Sequence, residues 1–118
     1  MTDTLAGKWE GLMHDIEGYG ARIDLELDKK GSGKFSFFLT GDHCSEEART
    51  GEVQAKLGKD GSVTMLVRGG DVAPMAFTGR IHAVKVHAEA AITGTFTDPD
   101  PKAGRGGVAI FWRYASRR

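Results

Sequence analysis

Arg22-Ile23-Asp24-Leu25-Glu26-Leu27-Asp28 carries an apolar side chain at every odd position and a charged one at every even position. A period of two belongs to a β-strand with one dry and one wet face, whereas a helix repeats about every 3.6 residues. The stretch therefore covers a core on one side only. Lys34-Phe35-Ser36-Phe37-Phe38-Leu39 continues as a third strand after Lys29-Lys30-Gly31-Ser32-Gly33, whose glycines supply the positive φ that a tight hairpin needs. Working outward, the first strand spans residues 5–14, and Val53, Ala55 and Leu57 mark a fourth. Gly58-Lys59-Asp60-Gly61 turns the chain into a fifth, with Val63, Met65 and Val67. A sixth strand runs over residues 75–82, a reversal falls near Ala83-Val84-Lys85, and Ala88, Ala90 and Ile92 mark the seventh. Residues 108–114 form the eighth, after a Pro- and Gly-rich loop over residues 98–107.

Eight strands in meander order leave no exposed edge if the last pairs with the first, so the expected fold is all-β: an eight-stranded antiparallel up-and-down barrel filling residues 1–118 as one domain. A two-layer sandwich of the same strands is the structural rival. The connections sort by end. The second, fourth and sixth look short, whereas those over residues 15–20, 41–50, 69–74 and 98–107 look longer, so a ligand is expected at the loop-rich end.

Composition narrows the partners. Sixteen basic and sixteen acidic residues cancel, leaving no excess field for nucleic acid or an anionic membrane. The opening Met1-Thr2-Asp3-Thr4-Leu5-Ala6 resembles neither a secretory signal nor a membrane span, and the lone Cys44 suits a reducing compartment; the expectation is a cytoplasmic protein. A mature chain whose signal had been removed would fit Cys44 equally well.

Leu5-Ala6-Gly7-Lys8-Trp9-Glu10-Gly11 near the start and Phe111-Trp112-Arg113-Tyr114 near the end resemble the paired marks of the calycin superfamily, which includes lipocalins, avidins and fatty-acid-binding proteins. The resemblance implies that Arg113 packs across Trp9 at the closed end, with Gly7 at the bend. It also implies ligand entry at the opposite end. Residues 15–20 are too few for the two helices that fatty-acid-binding proteins insert there, and two tryptophans fall short of an avidin biotin pocket. The resemblance thus carries a fold and no ligand.

His14, His43, His82 and His87 include no pair at metal-site spacing, and Cys44 has no second cysteine, so neither a metal nor a cofactor is expected. His43-Cys44 is the most reactive-looking dipeptide, yet adjacent residues on an extended chain point to opposite sides. The inferred lining is almost wholly apolar: it includes Met13, Phe35, Phe37, Leu39, Val67, Phe77 and Ile92, while Gly79, Ala55, Ala88 and Ala90 are small enough to leave room for neighbours or a guest. The expected function is binding of a small apolar or aromatic molecule by Met13, Tyr19, Leu39, His43, Arg68 and Phe77. The alternatives are a lipocalin-like barrel enzyme using Tyr19, His43 or Arg68 and a haem barrel with one axial histidine. Both faces of Val108-Ala109-Ile110-Phe111-Trp112 are apolar, so Val108, Ile110 and Trp112 are expected to look outward and to be buried in a two-fold homodimer.

Overall fold

The computed structural model describes residues 5–16, 18, 20–39, 49–69, 72–83, 90–100, 102 and 106–114. Eight strands follow one another: β1 (Gly7–Asp15), β2 (Gly20–Leu27), β3 (Ser32–Leu39), β4 (Arg49–Leu57), β5 (Ser62–Gly69), β6 (Val72–Ala83), β7 (Ala90–Thr97) and β8 (Gly106–Arg113). Each pairs antiparallel with the next. β8 then closes on β1 over a register running from Glu10↔Trp112 to Asp15↔Gly107. The molecule is a closed up-and-down barrel, and the sandwich is ruled out by that last ladder. Burial follows the alternation seen in the sequence: in β2, Ala21, Ile23, Leu25 and Leu27 are buried and their even-numbered neighbours are not.

Two hairpin turns at the closed end are built alike. Asp28 Oδ1 accepts from the backbone N–H of Lys30 (2.8 Å) and Ser32 (3.0 Å), and Asp60 Oδ1 accepts from that of Ser62 (3.0 Å). Gly31 and Gly61 take φ of 86° and 87°, the left-handed conformation that only glycine enters without strain. Each turn is then tied to a strand of the next hairpin, because Gly31 O accepts from Ala55 N–H (2.7 Å) and Gly61 O from Ile81 N–H (2.9 Å).

The structure corrects the expected starts of two strands. β1 begins at Gly7, with Leu5 buried just before it. β6 begins at Val72 rather than Met75, so only Gly70 and Asp71 separate it from β5 and the fifth connection is short. Pro74 lies before the first β7 partner of β6, Ala76, and beside the register shift in the β5–β6 ladder between Val67 and Gly69, an irregularity that accommodates a residue without an N–H. The sixth reversal falls within residues 84–89, outside the described residues, as does Ala88.

The interior is filled by aromatic rings laid against glycines. A Cβ at Gly11 would meet the Phe111 ring at 2.5 Å, and one at Gly51 would meet Phe35 at 2.5 Å. At Gly79 and Gly94 it would meet Phe77, at 2.7 and 2.8 Å. Phe77 and Phe111 also meet edge to face, centroids 5.4 Å apart and planes at 87°. The room left by Gly79 is therefore taken by a neighbour, not held for a guest.

At the closed end the Arg113 guanidinium stands over the Trp9 ring at 4.7 Å. Arg113 Nη1 donates to Ala6 O (2.8 Å) and Trp9 Nε1 to Leu5 O (2.9 Å), which ties the segment before β1 across the barrel floor. Gly7 has φ of 123°, and a Cβ there would lie 3.1 Å from Arg113 Cδ.

Candidate functional site

Odd-numbered strands end, and even-numbered strands begin, at the end opposite Trp9. There the inward row is apolar: Met13, Ala21, Val67 and Phe96 are buried, while Phe37 and Met75 are partly exposed and rest on the core. These six residues come from β1, β2, β5, β7, β3 and β6, so they surround a mouth. Phe77, 4 % exposed, lies beneath them with its ring on Gly79 and Gly94.

Polar groups continue the inward rows at the rim. Arg49 is in register with Phe37 and is exposed; Asp15 follows Met13 by two residues, Asp98 follows Phe96 by two, and both are half-buried. Charges of both signs thus ring an apolar well.

The expected ligand-binding residues separate in the structure. Met13 and Phe77 come together, one in the mouth and one below it. Leu39 closes β3 with its backbone opposite Ala21. Arg68 is exposed on the outer row of β5, opposite Glu52, because Val67 takes the inward position. Tyr19 and His43 lie outside the described residues, as do Cys44 and His87. His14 and His82 are exposed on outer rows, His14 Nδ1 with Asp15 O (2.9 Å) and His82 Nε2 with Thr93 Oγ1 (3.1 Å). Among the described residues no group of three or more His, Cys, Asp or Glu could hold a metal ion.

Phe96 and Met75 belong to the mouth, and the sequence reading did not name them. The signal for Phe96 was its parity with Ile92, broken visually by Gly94; that for Met75 was its place at the start of a strand after Pro74.

Comparison of the chain with protein-family models, curated proteins and solved structures returned no match. Function therefore has to be argued from the barrel itself.

A second hollow must be weighed against the mouth. A groove of about 930 Å³ opens at the closed end beside the two glycine turns, lined by Lys29, Lys30, Lys56 and Lys59 together with Leu57 and Ile81. Four lysines border it, and among the described residues no carboxylate lines it. An uncharged apolar guest gains nothing from such a border, so the mouth is the better match to the apolar lining.

Proposed function

We propose that this chain is a non-enzymatic binding barrel of the calycin kind that takes a small apolar or aromatic molecule at its mouth. The observation that carries the reading is the partial exposure of Phe37 and Met75 at the loop-rich end; Leu57 and Ile81 are partly exposed likewise at the closed end, but there they share a groove with lysines. Apolar groups held at the entrance of a closed barrel lose area to water, and a guest resting on them recovers it at roughly 25 cal/mol per Å² buried. The packed rings of Phe77, Phe111 and Phe35 set the depth. A guest is confined above them, which favours a compact ring system over a long acyl chain. Arg49, Asp15 and Asp98 provide the rim against which a polar end of the guest can lie.

The calycin assignment draws its support from the Trp9–Arg113 stack and from the eight-strand meander. A haem barrel gains no support from His14 and His82, both on the outer surface, and an enzyme gains none from Arg68, which faces away from the mouth.

Titration with 1-aminoanthracene, an uncharged aromatic fluorophore, tests the reading. Saturable enhancement is expected, with affinity falling about tenfold or more in Phe37→Asp and Met75→Asp, since each places a charge in the contact. Absence of saturable binding, or an equal loss in Lys30→Glu at the other end, would overturn it.

A further inference from the structure

The large apolar side chains that stand exposed among the described residues are Leu12 (51 %), Ile16 (76 %), Val108 (59 %), Ile110 (40 %) and Tyr114 (53 %), and all five belong to β1, β8 or the residue next to them. Register puts them side by side: Leu12 is opposite Ile110, and His14 is opposite Val108. The outer row of β7 extends the same face, with Thr93 opposite Ile110 and Thr95 opposite Val108. Among the described residues, formal charge stands toward the closed end of β1, at Lys8 and Glu10, and at the flanks, in the Glu10–Arg22–Asp24 ion pairs (3.2 Å each) on one side and Arg80 on the other. In a chain with 27 % charged residues, the part of these three strands nearest the loop-rich end carries an outer face of apolar, threonine and histidine side chains. Bare contiguous patches of this kind mark interaction surfaces.

We propose that the β7–β8–β1 face is the interface of a two-fold homodimer, its occupant a second copy of this chain. Ile16 projects from the face as its most exposed apolar residue, and beside it lies a shallow hollow of about 540 Å³ bordered by Leu12, His14, Val108 and Ile110. A two-fold axis lying in the face between projection and hollow seats each copy's Ile16 over the other's hollow, and an isologous contact pairs unlike parts of one patch in this manner. Strands about 4.8 Å apart and about 3.4 Å per residue give a face roughly 20 Å by 25 Å with its flanking side chains, about 500 Å² per copy, which places the contact among small interfaces, below the ~800 Å² that each partner of a standard complex covers. Charge agrees, since the patch of Leu12, Ile16, Val108, Ile110, Thr93 and Thr95, which holds no lysine, arginine or carboxylate, meets its copy without stranding one of those ions.

Trp112 shares the outer row, but its Nε1 donates to Glu10 Oε2 (3.2 Å) and to Tyr114 Oη (2.9 Å), so its own chain already holds the indole. The informative positions are Ile16 and Ile110. Sedimentation equilibrium at micromolar concentration is expected to give twice the chain mass. Ile16→Glu and Ile110→Glu, made separately, are each expected to raise the dissociation constant about 100-fold or more, because each buries a charge at the contact. Thr64→Glu on the far wall is expected to leave it unchanged. Far-UV circular dichroism verifies that each variant keeps its strands. Ile16 lies after β1, so its variant reads the interface even if Ile110→Glu does not fold. A monomer at 100 µM overturns the proposal, as does a dimer indifferent to both glutamates. A monomer that floats with phosphatidylcholine vesicles would also overturn it and assign the face to a lipid surface.

Discussion

Trp9 and Arg113 show how much a single contact can organise. Trp9 is 1 % exposed, and the guanidinium above it leaves water only because one face meets the indole while Nη1 reaches Ala6 O. Trp9→Ala is expected to cost about 3 to 5 kcal/mol in urea unfolding, as for other large buried aromatics. Arg113→Lys retains the charge but loses the planar group that both stacks and donates, and should cost about 1 to 2 kcal/mol. Unfolding midpoints equal to wild type for both variants would contradict this description of the closed end.

At the scale of the strands, the walls are thin where the rings are thick. Gly79 and Gly94 face each other across the β6–β7 ladder with Phe77 over both, so Gly94→Ala forces a methyl against the ring edge and the Thr78 carbonyl. That overpacking should cost about 1 to 3 kcal/mol, because the nearest atoms, Thr78 O and, at 2.5 Å, Gly79 Cα, are backbone that a turn of the ring does not move; an unchanged urea midpoint would contradict this close approach. The strands themselves are legible, because β2 and β4 alternate cleanly, β3 and β5 alternate apart from the apolar runs Phe37-Phe38-Leu39 and Met65-Leu66-Val67, and Gly- and Asp-bearing turns separate β2 from β3 and β4 from β5. β6 was misjudged at its start, since composition does not tell whether a proline faces a regular ladder or an irregular one. The mouth was only half legible. Met13 and Phe37 follow from parity, but Phe96 is hidden behind Gly94, and no local pattern says that Phe77 leans over two glycines of different strands. Whether a barrel is filled depends on how side chains from separate strands meet, and that is settled by packing.

For the molecule as a whole, the account divides the barrel into a stapled floor, a ring-filled middle and an apolar mouth, with an apolar patch on one side of its outer wall. Its three inward methionines sample this division. Met13 and Met75 stand at the mouth, whereas Met65 is 3 % exposed in the packed part and borders the lysine-lined groove at the opposite end. Methyl-¹³C methionine NMR during titration with 1-aminoanthracene tests the central claim most directly. The account predicts saturable shifts of the Met13 and Met75 methyl signals with Met65 unmoved; saturable shifts of Met65 without those two would place the guest at the closed end and contradict it.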